Sequence, residues 1–321
     1  MAAASPSELE GHVLLSPPGE RLLEPADKLI VLADDSEASE PSARATTPLG
    51  RSHIDRAAAT RMVPGDSAPQ NLVILNWNPK MRGIISQIDE VAAPGSVVTV
   101  LSRHRPAELE EMEVRELRSY AAPALTNLKV THVAGDASSL TDLAKLECLA
   151  RADSVLVLQR GEGGEADDAH SLLCIHAVQQ ALADAGTSLL DASAPRLIGE
   201  LSSPEMEQLI CEQWPGAAED FVLPRELASG TLVQFALQPE LAAVFLELLS
   251  AEGKEIFFAP AEVYADADET LTFGEFCKRA RARGEVAVGL QRAGESMPEL
   301  NPSQGTKVHE GDQLVVLGEL F

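Results

Sequence analysis

The chain has 321 residues, with 25 Lys plus Arg against 50 Asp plus Glu and a formal net charge of −25. That balance excludes a nucleic-acid binder held by phosphate contacts, and 45% hydrophobic residues exclude a disordered acidic chain. No stretch approaches the roughly 18 apolar residues of a membrane helix, the first ten residues lack a leader's basic and apolar regions, and Cys148, Cys174, Cys211 and Cys277 form no C-x-x-C pair. The chain as written is expected to be soluble and reduced.

Residues 12–35 (HVLLSPPGERLLEPADKLIVLADD) recur near the C-terminus. Without a gap, Leu15, Pro17, Asp27, Leu29, Val31 and Leu32 fall on Leu300, Pro302, Asp312, Leu314, Val316 and Leu317. Both copies read as a turn, a polar step and a buried strand. A repeated C-terminal unit implies one complete module preceded by the tail of another, although any strand after a Gly-Asp turn has a similar pattern. Residues 36–69, rich in Ser, Ala, Pro and Arg without a hydrophobic period, read as a linker.

From residue 72 onward, strand and helix signals alternate. The runs at 72–76 (LVILN), 97–101 (VVTVL), 128–133 (LKVTHV), 154–158 (SVLVL) and 196–201 (RLIGEL) are short and aliphatic, as strands buried on both faces are. Ile84, Ile85, Ile88 and Val91 predict one helix face; Leu172, Leu173, Ile175, His176 and Val178 predict another, on a helix over 167–183. With turns at Pro94-Gly95, Gly135-Asp136 and Pro195, the pattern predicts a doubly wound parallel sheet. A long helical stretch over 225–250 is interrupted at Pro239. Strands at 255–259, 286–290 and 313–317 with a basic helix over 273–283 then make a small, separate α+β lobe.

The chemistry expected of such a sheet is mostly missing. A dinucleotide fold places G-x-G-x-x-G after the first strand, where this chain has Asn76, Trp77, Asn78, Pro79, Lys80, Met81, Arg82 and Gly83. Side chains stand where a pyrophosphate needs bare backbone, and Ser102 and Arg103 replace the acidic residue that would hold a ribose, so NAD is not expected. Trp77 reads as a packing residue over the sheet end, with Asn76 and Asn78 as candidate polar groups for an ion or partner. No G-x-S-x-G elbow and no metal spacing of His or Cys is present; His170, Cys174 and His176 fail those patterns, and His176 reads as a half-buried core residue. Residues 266–270 (DADET) imitate a calcium loop weakly. No enzymatic activity is expected.

Two acidic features lie at the predicted carboxyl edge of the sheet. One is Asp136; the other is the glycine-rich loop that carries Glu162, Glu165, Asp167 and Asp168. Carboxylates on flexible backbone suit a hard cation such as calcium, but Asp167 and Asp168 equally suit a helix N-terminus, and capping is placed ahead of metal binding.

Three stretches carry a more specific resemblance. VILNWNPKMRGIISQIDEVAAPGSVVTVLS (73–102), FVLPRELASGTLVQFALQPELAAVFLELLSAEGKEI (221–256) and TFGEFCKRARARGEVAVGLQR (272–292) resemble the regulatory half of the Castor and Pollux ion channels, built from RCK domains (regulators of potassium conductance). The resemblance implies a Rossmann-like N-lobe over 71–223, a helical crossover and dimerisation element over 224–250 and a C-lobe over 251–321, with residues 1–35 as the tail of a preceding C-lobe and 36–70 as linker. It also implies a tetrameric, calcium-responsive gating ring beneath a cation pore, at the soluble face of a nuclear-envelope or plastid membrane. Leu237, Leu241, Val244, Phe245 and Leu248 would then form the buried face between subunits. The pore helices of that family have no counterpart here. A stand-alone ion or nucleotide sensor acting on a separate pore, and a Rossmann-type oxidoreductase, are the alternatives.

Overall fold

The computed structural model describes residues 13–17, 21–25, 27–32, 68–104, 125–161, 164–187, 194–213, 221–250, 253–265, 269, 271–295 and 297–318. The chain divides into two compact units, Gly65–Leu237 and the pair Met1–Pro64 with Gln238–Phe321.

The first unit contains β1 (Asn71–Leu75), α1 (Met81–Val91), β2 (Ser96–Ser102), β3 (Leu128–Ala134), a single turn α2 (Leu140–Leu143), β4 (Ser154–Val157), α3 (Glu165–Asp184), β5 (Arg196–Glu200), α4 (Pro204–Gln213), β6 (Phe221–Val222) and α5 (Pro224–Leu237). All six strands are parallel, in the order β3-β2-β1-β4-β5-β6. That is the strand order of a doubly wound, Rossmann-like sheet. Alternation along β1 sends Val73 and Leu75 to one face, against Cys174, Ile175, Val178 and Leu182 of α3, and Ile74 to the other, against Met81 and Ile85 of α1. The five predicted strands each match an observed one to within a residue or two at either end.

Three expectations for the helices change. Val91 is exposed, and the inner row of α1 is Met81, Ile85 and Asp89. Asp89 is buried because it accepts hydrogen bonds from the backbone N–H groups of Thr126, Asn127 and Leu128 at 2.8–3.1 Å, which fixes the start of β3. On α3, Leu173 and His176 are exposed, and His170 is the buried histidine. A helix packed on one sheet face turns only part of its circumference inward, and the inward stripe runs through 171, 174, 175, 178 and 182.

The second unit holds α6 (Leu241–Leu248), β7 (Glu255–Pro260), α7 (Phe273–Ala282), β8 (Val286–Gln291), β9 (Glu299–Leu300) and β10 (Gln313–Gly318). Its sheet is antiparallel, ordered β7-β10-β8-β9. A capping box between Thr272 and Glu275 starts α7, and Phe273, Phe276 and Ala280 pack on Ala259, Leu290, Leu314 and Val316 as the separate core that the pattern predicted. Pro239 lies between the end of α5 and the start of α6, as expected of a residue lacking an N–H donor.

The N-terminal repeat is kept in its turn and lost in its strand. Ser16 and its counterpart Asn301 both hold left-handed backbone, with φ of 53° and 50°. The Glu24 N–H donates to Asp27 Oδ2 at 3.0 Å, as the His309 N–H does to Asp312 Oδ2 at 2.9 Å. The expectation of a buried strand fails: Leu29, Ile30, Val31 and Leu32 are exposed and unpaired with any described strand. Their counterparts in β10 are flanked on both sides, by β7 and β8, and the described residues of 12–35 form no strand equivalent to either.

Candidate functional site

In an open parallel sheet the ligand crevice lies at the carboxyl ends of the strands where the order reverses, here between β1 and β4. Asn76 follows β1 with φ of 70°, a left-handed conformation that asparagine tolerates better than most residues. Its Nδ2 donates to the Leu158 carbonyl at 2.9 Å, and its Oδ1 lies 3.2 Å from His170 Nε2. The same imidazole nitrogen is 3.3 Å from Cys174 Sγ, one turn along α3. Two residues on, Asn78 Nδ2 donates to the Gln159 carbonyl at 2.8 Å while its Oδ1 accepts from the Lys80 N–H at 3.0 Å. Glu200, buried at the end of β5, accepts from the Gln159 N–H at 3.2 Å and pairs with Lys80.

These contacts lace the ends of β1, β4 and β5 together across the place where a dinucleotide's phosphates would enter. Burial, with Arg160 as the next contributor, holds His170 below the usual imidazole range and so favours the neutral ring. Burial pushes the Cys174 thiol up to about 11, which leaves it un-ionised and unsuited to nucleophilic attack. The arrangement is a buried polar latch across the strand ends.

At the end of β2, Arg103 Nη2 lies 2.6 Å from Asp136 Oδ2, and Asp136 Oδ1 accepts from Ser138 Oγ at 2.7 Å and Ser138 N at 3.0 Å. Burial alone would raise this carboxyl, but the Ser138 hydrogen bonds and the Arg103 guanidinium outweigh it and bring it to about 2. Trp77 packs on the α1-side core and meets the His104 ring edge-on at a centroid distance of 5.6 Å. Ser102 is buried, and its Oγ has no hydrogen-bond partner among the described residues.

The acidic residues after β4, Glu165, Asp167 and Asp168, lie in the first turn of α3, where negative charge offsets the helix dipole. Glu162 lies outside the described residues, as do 266–268 and 270 of the calcium-like run. Glu165 is exposed and Asp167 half-buried at the start of α3. Asp168 is buried and is engaged by the loop after β5: Oδ1 accepts from the Ser202 N–H at 2.8 Å and Oδ2 from Ser202 Oγ at 2.8 Å, while Gln159 Nε2 also donates to Oδ1. Ser202 Oγ in turn accepts the Gly164 N–H at 2.9 Å. Among the described residues, no group of three or more His, Cys, Asp or Glu side chains is placed to share a metal ion.

The structure therefore joins Asn76 and Asn78 to the β4 end, joins Arg103 to Asp136, and commits Asp168 to the loop after β5. Sequence reasoning missed His170 as Asn76's partner, and it missed Gln159, Glu200 and Ser202 altogether. The one available signal was Asn-x-Asn directly after a strand, two short amides where glycine is usual.

Residues 225–320 match the family model described as "Castor and Pollux, part of voltage-gated ion channel". The chain is 25% identical over 333 residues to the probable ion channel POLLUX of Oryza sativa subsp. japonica, covering 94% of this chain and 32% of that protein. It is 25% identical over 318 residues to the ion channel DMI1 of Medicago truncatula, covering 92% and 35%, and 24% identical over 327 residues to the ion channel CASTOR of Lotus japonicus, covering 92% and 36%. The chain thus spans about a third of the length of these curated relatives. Among solved structures, the GsuK channel bound to NAD is similar at 17% identity and a TM-score of 0.34, covering 79% of this chain and 37% of that one. The resemblance to Castor and Pollux channels rests on the sequence matches, and the fold class rests on the strand order described above.

Proposed function

We propose that this chain is the regulatory portion of a Castor/Pollux-type cation channel, a non-enzymatic element that couples ligand binding to pore opening. The observation that carries the reading is the family match over 225–320, which takes in α5, α6 and the whole small lobe. Among the described residues no helix is long and apolar enough to cross a membrane, so the reading assigns this region to regulation and the pore to another segment or subunit.

Assembly into a ring, a tetramer by family analogy, is part of the proposal. It is supported by α5, which has no buried residue and exposes Leu227, Leu232, Val233 and Leu237. Exposed apolar side chains distributed around a helix in this way are stabilised by burial against a partner. A ligand that binds one arrangement of such a ring more tightly shifts its population toward that arrangement. Calcium is the ligand proposed, at the loop after β4, with Glu162, Glu165 and Asp167 as its carboxylates; Asp168 is already engaged by Ser202. A dinucleotide is left out of the proposal because Asn76, Trp77 and Asn78 put side chains where its phosphates need backbone. The expected site of action is the soluble face of an organelle membrane.

The test is reconstitution of the protein purified from its own cells into planar bilayers, with calcium varied from nominally zero to millimolar. Cation currents that change with calcium are expected. Preparations that carry no cation current, and retain no pore-forming partner, would overturn the reading. Co-purification with a separately encoded pore would favour the stand-alone sensor.

A further inference from the structure

Three electron-pair donors converge at the end of β1 with one ring proton between them. His170 and Cys174 lie one helical turn apart on α3, a spacing that stacks them on one face, and Asn76 meets them from the strand. Their exposures are 6%, 0% and 3% in that order. His170 Nε2 is 3.2 Å from Asn76 Oδ1 and 3.3 Å from Cys174 Sγ. A single N–H on Nε2 points at one of these two and serves the other poorly. Asn76 cannot turn to relieve this, because its Nδ2 donates to the Leu158 carbonyl at 2.9 Å and so aims Oδ1 at the ring.

The spacing of the three atoms matches the edges of a metal coordination shell. Zinc binds imidazole nitrogen at about 2.0–2.1 Å and thiolate sulfur at about 2.3 Å. An ion at those distances spans the 3.3 Å from Nε2 to Sγ at an angle of about 100°. With an oxygen at about 2.0–2.2 Å, it spans the 3.2 Å from Nε2 to Oδ1 at nearly the same angle. Both angles lie close to tetrahedral, so an ion fits where the shared proton now sits. The Leu158 carbonyl then acts as the outer partner that orients a ligand.

We infer that Asn76 Oδ1, His170 Nε2 and Cys174 Sγ form a site for a thiophilic cation, Zn²⁺ or Cu⁺. The donor set is soft, one sulfur and one imidazole, and so is distinct in kind from the carboxylates proposed for calcium. Binding breaks the Cys174 S–H bond and forms an S–metal bond, and the thiol proton leaves to solvent. The ring proton moves from Nε2 to Nδ1, which frees the Nε2 lone pair for the ion. Burial keeps the thiol protonated otherwise, and a coordinating metal removes that proton outright. The charges that act on the ring are Arg160 and Arg103 against Asp136 and Asp167, two of each sign. The sequence hides the site because its third donor lies 94 positions from His170.

The test uses the full chain, reduced and free of oxygen, in millimolar calcium so that the carboxylates of the loop after β4 do not compete. Co²⁺ stands in for Zn²⁺ and reports sulfur ligation through a thiolate-to-cobalt charge-transfer band in the near ultraviolet. The wild-type protein should show the band, lose it when zinc displaces cobalt, and release about one proton per zinc bound at pH 7. Cys174→Ser should abolish the band, His170→Ala should weaken zinc binding at least tenfold, and Cys148→Ser and Cys277→Ser should leave both unchanged. No band in the wild-type protein, or a band that survives Cys174→Ser, would overturn the site. X-ray absorption of the metal-loaded wild-type protein needs no variant, and so keeps the inference testable if Cys174→Ser does not fold. One sulfur at about 2.3 Å with nitrogen or oxygen at about 2.0–2.1 Å is expected for zinc; a shell of oxygen alone would overturn the site. Retention of Zn²⁺ or of Cu⁺ through dialysis identifies the ion, and loss of both would also overturn it.

Discussion

The Asn76 side chain reaches across the reversal of strand order to the Leu158 carbonyl, 2.9 Å from its Nδ2, and closes the crevice that a sheet of this topology normally leaves open. The same amide meets His170 through its oxygen, so one residue satisfies two buried groups on separate elements.

Asn76→Ala therefore leaves the Leu158 carbonyl and the His170 ring without this partner in a buried site. A cost of about 1–3 kcal/mol is expected for such groups, seen as a lower urea midpoint with an unchanged slope. Asn76→Gly removes the same bonds but suits the left-handed backbone, so it should be less damaging than Ala. Equal midpoints for the two variants would show that φ at this position contributes nothing.

Acid stability should follow the carboxylates held below their ordinary range. Burial opposes ionisation of Asp89, but three backbone N–H groups and Thr126 Oγ1 outweigh it and lower its pKa; Asp136 is brought to about 2. For a depressed carboxyl the stabilisation is fully present above the unfolded value, near 4, and is lost as pH falls through the folded value. Melting temperature is expected to drop between about pH 4 and pH 2, and Asp89→Asn should flatten part of that fall. An unchanged profile in Asp89→Asn would remove Asp89 as a contributor.

Replacing Leu232 and Leu237 of α5 by Glu should leave the fold intact, because both side chains are exposed in the single chain, and should lower the particle mass in light scattering toward that of a monomer. Phe245→Asp, on α6, is the companion change; Phe245 is only partly exposed, so some loss of stability should accompany it. An assembly of unchanged size in all three variants would exclude these helices as the subunit contact.

The proposed calcium site and the loop architecture are tested at two adjacent residues. Asp168→Ala removes the acceptor for Ser202 N and Oγ and is expected to destabilise by about 1–3 kcal/mol with or without calcium. Asp167→Asn should abolish any rise in melting temperature that millimolar calcium produces. If Asp167→Asn keeps the full calcium shift, the ion binds elsewhere.

Periodicity in the sequence located five parallel strands, the helix break at Pro239 and the separate core of the small lobe. These depend on local alternation and on proline's missing donor, which are properties of neighbouring residues. The resemblance to Castor and Pollux channels was legible differently, from the similarity of the stretches 73–102, 221–256 and 272–292 to that family. The repeat between 12–35 and the C-terminus was also readable, and it holds where local backbone decides, at Ser16, Glu24 and Asp27. It fails at Leu29–Leu32, where a strand exists only if other strands supply its hydrogen bonds.

Only the tertiary structure decided the site. Asn76 and His170, Asn78 and Glu200, and Asp168 and Ser202 lie 34 to 122 positions apart, and no pattern in one sequence says which buried polar group will satisfy which. Asp89 shows the limit: it sits at helical spacing from Met81 and Ile85 yet is charged, and its burial makes sense only once three backbone N–H groups of the β3 entry converge on it. Hydrophobic pattern is written residue by residue, whereas the satisfaction of buried polar groups is a property of the assembled chain.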